Sequence, residues 1–387
     1  MLKKTVCVAV LYFLSMFAQV DAKEYLVGVE IPLSGSYARA GNGTLEGITV
    51  ATELFNKRNP KHTIKLVTVD DESSPAKAMA AVEKLAGQNV VAITGGYTTT
   101  ICGSAATAAS KVGLVYMTTG APSTELGNRG LKNLFRINNS DGYTKALVGL
   151  FGEMGIRSLS IITTTHQSTA EVATDVKNAL TSKGIKVTLH SFDPGITDFK
   201  PLVNKVKLQD RSEAIFMAGL ENDYVGILRA AKVLRPNVKA MVGVWSLATS
   251  KMASDFPDLM PNVYGTAMMA FPAEFRTAEG KEFEQTYKKL YKKEPDYLAQ
   301  FGYVQALVLF EAIKRTDEKG ASVRSGLADE LRKTDRKTLL GRVSFDARGE
   351  NPNFSQFMGQ HQNGKIAIVW PKEEANSKMN FPAVPWK

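Results

Sequence analysis

From Tyr25 onward the chain alternates short runs of nearly continuous Val, Ile and Leu with longer amphipathic stretches. This alternation restricts the fold more than any other feature. Apolar runs with no polar face belong to strands covered on both sides, so they predict parallel sheets with helices on each face. The first series reads as strands at Tyr25–Ile31, Thr63–Asp70, Val90–Thr94 and Leu114–Met117, with helices at Gly43–Lys57, Pro75–Ala86 and Thr98–Lys111. A polar break follows at Ile137-Asn138-Asn139-Ser140. The second series places helices at Asp141–Met154, Thr169–Ser182, Asp198–Lys207 and Asp223–Leu234, and strands at Leu159–Thr163, Val187–His190, Ala214–Met217 and Lys239–Val242. Two βα series of similar size predict an α/β chain of two doubly wound, Rossmann-like lobes. Beyond Tyr264–Ala270 come helices at Thr277–Tyr291, Tyr297–Arg315 and Ser322–Lys333, then strands at Gly341–Phe345 and Lys365–Val369. These late elements must complete sheets already begun, so the lobes are expected to be discontinuous in sequence.

The N-terminus bears on compartment. Lys3 and Lys4 precede an apolar run, Thr5–Ala18, and Val20-Asp21-Ala22 places small residues before Lys23. That layout predicts a signal peptide over residues 1–22, cleaved on export, because the run is too short to span a bilayer. No other run reaches about 18 apolar residues, so the processed chain is expected to be soluble. Processing removes two lysines and one aspartate and lowers the formal charge from +10 to +9. The lysines are dispersed: Lys281, Lys288, Lys289, Lys292 and Lys293 share one segment with Glu282, Glu284 and Glu294, which reads as a solvated face and not a nucleic-acid footprint. Only Cys102 survives processing, so the chain stands on its core without a disulfide, as a periplasmic protein can. Cys102 itself reads as a helix-packing residue.

One segment carries recognisable chemistry. Val90–Ser104, VVAITGGYTTTICGS, is a buried strand that turns through Gly95-Gly96 into a helix opening on Thr98, Thr99 and Thr100. Unpaired N–H groups of the first helical turn, together with threonine hydroxyls, suit a carboxylate or a similar acceptor. Signals for catalysis are weak. The four histidines, His62, His166, His190 and His361, have no metal-ligand spacing, and neither a nucleophile elbow nor a Walker loop occurs. Neither a metal nor a cofactor is expected. Gly41-Asn42-Gly43-Thr44-Leu45-Glu46-Gly47 approximates a dinucleotide loop with its third glycine one residue late, and reads as a helix N-terminus in a loop. Asp70-Asp71-Glu72 reads as a solvated strand end leading to the cap of the helix at Pro75.

In the order and spacing of several short segments the whole processed chain resembles the solute-binding proteins of branched-chain amino-acid (Leu/Ile/Val-type) ABC transporters. The segments are Ile31-Pro32-Leu33-Ser34-Gly35-Ser36, Glu46–Ala51, Val69-Asp70-Asp71, the Gly95–Thr100 turn, Met117-Thr118-Thr119-Gly120-Ala121, Asp198–Leu202, Gly341–Asp346 and Asn363-Gly364-Lys365. The resemblance implies the type I periplasmic binding-protein fold, two lobes joined by a three-crossover hinge. It places residues 23–140 and 268–344 in one lobe and residues 141–267 and 345–387 in the other. It implies a periplasmic, monomeric, non-enzymatic receptor that delivers a small carboxylate solute to an inner-membrane ABC permease, with no nucleic-acid partner. A sensory module on the same fold and an exported α/β enzyme remain alternatives.

By resemblance, Tyr97, Thr98 and Thr99 hold the ligand carboxylate, and Gly120 and Ala121 add backbone contacts. Three positions depart from the family. Trp245 stands where an acid pairs with a ligand ammonium, and Ser168 and Leu220 stand where aromatic residues are expected. Glu221 and Asp223 are the nearby acids that could replace the missing one. His166 faces the expected cleft, and Arg39 in the first loop is a further candidate for a carboxylate. A buried ammonium without an acid is costly, so the departures favour an aromatic or aliphatic acid over the amino-acid default.

Overall fold

The computed structural model describes residues 22–270 and 274–386; the expected signal peptide falls almost wholly on residues 1–21, outside the described residues. Strand β1 (Lys23–Ile31) leads to helix α1 (Ala38–Arg58), then β2 (His62–Asp70), α2 (Pro75–Gly87), β3 (Ala92–Gly95), α3 (Thr99–Lys111), β4 (Val115–Thr118), a short α4 (Thr124–Gly127) and β5 (Leu134–Arg136). These strands form one parallel sheet in the order β2-β1-β3-β4-β5, with Val27 of β1 paired to Leu66 on one side and Ala92 on the other. Strand order reverses between β1 and β3, so the loops leaving these two strands diverge and open a crevice at the carboxyl edge.

The second series repeats the arrangement: α5 (Ser140–Met154), β6 (Ser158–Thr164), α6 (Gln167–Thr181), β7 (Lys186–Phe192), α7 (Lys200–Lys205, continued by a π turn), β8 (Ala214–Ala218), α8 (Glu221–Leu234), β9 (Ala240–Gly243), α9 (Ser250–Asp255) and β10 (Tyr264–Ala267). Its switch point lies between β6 and β8. Three further helices follow: α10 (Ala278–Tyr291), α11 (Tyr297–Glu318) and α12 (Val323–Arg332). Of these, α10 and α11 pack on α1, and α12 packs on α11. Strands β11 (Asp335–Thr338) and β12 (Gly341–Ser344) precede β13 (Phe357–Gln362) and β14 (Lys365–Trp370). The last two strands extend the second sheet antiparallel, giving the order β14-β13-β10-β9-β8-β6-β7.

Three expectations are corrected. The strand at Gly341 completes neither large sheet. It pairs with β11 as a separate hairpin, which Arg336 ties to Glu279 and Glu311 on α10 and α11 at 2.8 and 2.7 Å. Helix α1 starts at Ala38, ahead of the expected Gly43, so Gly41 joins Gly43 and Gly47 inside it and does not lie in a loop. Their small size serves packing: a Cβ on Gly47 would overlap the Ala299 carbonyl, and one on Gly302 of α11 would overlap that of Thr44. The two helices therefore cross backbone to backbone. Finally, Asp71 is fully buried, and Ser74 caps α2.

Elsewhere the charges behave as the composition suggests. Lys288 pairs with Glu284 and Glu294, and Lys289 with Glu53. Among the described residues no helix is long and apolar enough to cross a membrane, and no group of three or more metal-ligating side chains assembles.

Candidate functional site

The β3–α3 turn sits at the first switch point and is built under constraint. Gly95 and Gly96 adopt φ of 121° and 72°, which L side chains rarely reach. A Cβ on Gly95 would strike the Glu30 carbonyl, and one on Gly96 the Tyr116 hydroxyl and the Cys102 sulfur. Thr98 holds φ 70°, ψ 145°, a costly conformation for a β-branched residue and one that clusters at functional sites. Thr98 makes no side-chain cap, α3 has no acid in its first turn, and the buried Thr99 Oγ1 has no partner in the protein. The first N–H groups of α3 are thus left for an external acceptor.

The neighbouring β4 loop is fixed by its own network. Thr118 Oγ1 accepts from Gly120 N at 2.9 Å, Thr119 Oγ1 donates to Gln305 Oε1 at 2.6 Å, and Gln305 Nε2 donates to Thr94 Oγ1 at 3.1 Å. Fully buried Arg136 grips Glu350 through two 2.8 Å bonds and donates to the Ala121 and Ser123 carbonyls. Gly120 touches Gly96 so closely that a Cβ there would overlap the Gly96 carbonyl.

Beneath the turn, Tyr116 Oη donates to Glu30 Oε2 at 2.6 Å, and Glu30 faces Asp71. Burial raises the Glu30 carboxyl well above the ordinary range, and burial also raises Asp71. Glu30 Oε1 and Asp71 Oδ2 are both buried without another partner, so one proton shared between them satisfies both. Burial also pushes the Cys102 thiol up to about 12, which makes it a packing group and not a nucleophile.

Two cavities open in front of these elements. The inner one, about 530 Å³, is walled by Tyr97, Thr98 and Gly120 from the first half and by Ser168, Leu220 and Trp245 from the second. Asn138, Tyr143, Tyr297 and Phe301 line it as well, with Thr44, Thr119, Pro122 and Leu298. Trp245 meets Tyr143 edge-on at 6.0 Å, and burial pushes the Tyr97 phenol up to about 12. Asn138 Nδ2 donates to Tyr143 Oη at 3.3 Å, while its buried Oδ1 has no partner in the protein. The outer cavity, about 1150 Å³, holds Arg39, His166, Glu221 and Asp223. There Arg39 and Glu221 form an ion pair from α1 to α8, across the cleft mouth. Asp223 Oδ2 accepts from Leu220 N at 2.8 Å. A second bridge joins the halves: Glu171 of α6 accepts from Thr124 N at 2.8 Å, from Thr124 Oγ1 at 2.7 Å and from Ser123 Oγ.

Comparison with known proteins places this geometry. A family model described as periplasmic binding protein matches residues 24–365. The chain belongs to the periplasmic binding protein family. A Leu/Ile/Val-binding protein homolog from Brucella melitensis is 25% identical over 379 residues, covering 92% of this chain and 94% of its own. Two solved structures share the fold of this binding protein. One is a leucine-binding protein from Thermotoga maritima, with a TM-score of 0.79 and 22% identity over 89% of this chain and 97% of that one. The other is a solute-binding protein from Rhodopseudomonas palustris in complex with benzoate, with a TM-score of 0.78 and 17% identity over 90% and 96%. The fold is that of type I periplasmic binding proteins.

Within this binding protein the residues singled out from sequence divide into three groups. Tyr97, Thr98, Gly120, Ser168, Leu220 and Trp245 meet around the inner cavity. Arg39, His166 and Glu221 line the outer one, and the first and last engage each other. Thr99 and Ala121 line neither: they pack in the wall behind, Ala121 with its carbonyl held by Arg136. Asn138, Tyr143, Tyr297 and Phe301 were missed. Tyr297 and Phe301 stand one turn apart on α11 and read as core, and Asn138 lay in a segment read only as a boundary.

Proposed function

We propose that this protein is the substrate-binding receptor of an ABC importer, exported to the periplasm by a cleaved signal peptide. It closes two lobes, residues 23–140 with 268–344 and residues 141–267 with 345–387, on a small carboxylate that lacks an ammonium group. The uncapped start of α3 receives the carboxylate, with Thr98 at its edge. The aromatic wall of Trp245, Tyr143, Tyr297 and Phe301 encloses the body of the ligand. The protein binds and releases its solute unchanged, and hands it to an inner-membrane permease.

One observation carries the choice of ligand. Among the described residues that line the inner cavity there is no carboxylate: Glu221, paired with Arg39, and Asp223 stand in the outer cavity, and Asp296 stands behind Trp245. None stands in the inner cavity to offset an ammonium buried there. The Brucella relative is named for Leu, Ile and Val, and the Rhodopseudomonas neighbour holds benzoate. The cleft chemistry favours the second kind of ligand.

Thermal unfolding of the processed protein against leucine, isoleucine, valine and a panel of aromatic and aliphatic acids tests this. A ligand at a hundred times its Kd stabilises by about 2.7 kcal/mol. A shift with the acids and none with the amino acids is expected. Stabilisation by leucine alone would overturn the reading.

A further inference from the structure

Behind Trp245 the inner cavity has a neighbour of equal size. This second cavity, about 530 Å³, shares Tyr143, Trp245, Tyr297 and Phe301 with the first and runs on to the end of β10 and the first turn of α11. Much of its lining is apolar, with Ala248, Ala267, Met268 and Met269. Polar side chains interrupt it: Thr249, Ser250, Asp296 and Gln356, and also Thr266 and Gln300, the last two each only 3% exposed. Thr266 Oγ1 and Gln300 Oε1 have no hydrogen-bond partner in the protein. A buried oxygen left unpaired costs about 1–3 kcal/mol, and here two line one cavity. Asp296 in the same lining accepts the Ala299 N–H through one oxygen, and Gln305, further along α11, uses both ends of its amide.

The chemistry of the two oxygens sets what fits. Gln300 Oε1 only accepts, so its partner must donate; the Thr266 hydroxyl either donates or accepts. A hydroxyl has the chemistry for both, a proton to donate to Gln300 and lone pairs to accept from Thr266. A methyl, an ether or a second carboxylate leaves Gln300 without a donor.

We propose that this cavity is a second ligand subsite, and that the acid carries an uncharged hydroxyl at the end remote from its carboxylate. The carboxylate lies at α3, the body between the aromatic walls, and the hydroxyl between Gln300 and Thr266. The proposal rests on the carboxylate reading of the inner cavity.

The test is titration calorimetry of the processed protein with matched acids: phenylacetate, phenylpropionate and cinnamate, each with and without a para-hydroxyl. At least one hydroxylated member is expected to bind about tenfold tighter than its parent, and Thr266→Val and Gln300→Leu each to bring that ratio close to one. Parent and hydroxylated acids binding equally well to the wild-type protein would overturn the subsite and leave the carboxylate reading standing. A preference that survives both variants would do the same. If no acid of the series binds, both readings fall. The wild-type ratio is measured without any variant, so the outcome does not depend on the variants folding.

Discussion

The two walls of the cleft occupy the same place in the same topology and present opposite chemistry. Each has a helix start just after the strand beyond its switch point, α3 after β3 and α8 after β8. At α8 the helix closes on itself: Asp223 accepts the Leu220 N–H, and Glu221 in the same turn holds Arg39 from the other half. Neither helix has a side-chain cap, but α3 has no acid in its first turn. Similar backbone plans thus yield one helix end without acids, open to an anion, and one whose first turn already carries two. A few side chains decide which wall recognises charge and which contributes apolar shape.

The sharpest way to break this contrast is to make α3 resemble α8. Thr98→Asp puts an acid at the N-terminus of α3, where the helix dipole favours it by about 0.3–1 kcal/mol. The unliganded protein should melt at the same temperature or higher. A carboxylate ligand, now facing a like charge at short range, should bind about a hundredfold more weakly or worse, since such juxtaposition costs several kcal/mol. Unchanged affinity by calorimetry would remove the carboxylate from this wall. A smaller effect is expected from Thr99→Val, which deletes the unpartnered hydroxyl but keeps the shape. About tenfold weaker carboxylate binding with little change in melting temperature would place that hydroxyl on the ligand, while a loss of stability alone would make it a packing group.

How much of the contrast could be read from residue order depends on the range of the interaction. The strand–helix alternation is local, so the βα series and the Gly95–Thr98 turn are legible in it. The crossing of α1 on α11 is not: the need for glycine at Gly47 shows only when Ala299 arrives from a distant helix. Arg39 and Glu221 each read as a charge available to a ligand, and only folding brings them together to neutralise one another. Asp71 sits between Asp70 and Glu72 and looks like either. What separates it is Glu30, from the first strand, beside it in the core.

The cross-cleft pair gives a third and weaker test. Arg39→Ala and Glu221→Gln each remove the same bridge between side chains that are 35% and 28% exposed, so solvent screening limits the effect to about 1 kcal/mol or less. Ligand dissociation in stopped flow should quicken about threefold in either variant, and the double variant should be no faster than the singles. Additive effects would mean that each residue contacts the ligand independently.

The last contrast concerns what the walls stand on, and its effect is on stability more than affinity. The β8 side rests on Tyr224, whose hydroxyl donates to the Val244 carbonyl at 2.7 Å, a neutral bond. The β3 side rests on Glu30 and Asp71, whose raised carboxyls keep a proton that the unfolded chain releases above its ordinary value of 4.5 for Glu30. The folded state therefore binds more protons than the unfolded state. The stability from this pair is fully present below that ordinary value and is lost as pH rises through the raised folded one. Glu30→Gln builds the proton in as an amide N–H that donates to Asp71, while its carbonyl still accepts from Tyr116. Relative to the wild type, the variant should gain stability steadily as the pH is taken from mildly acidic to alkaline, read as the difference between two urea-unfolding series. Carboxylates such as Asp70 and Glu330, held below their ordinary range, tilt both curves equally and cancel in that difference. Parallel curves would mean that no proton is shared beneath the turn, and the open wall would then stand on ground as neutral as the closed one.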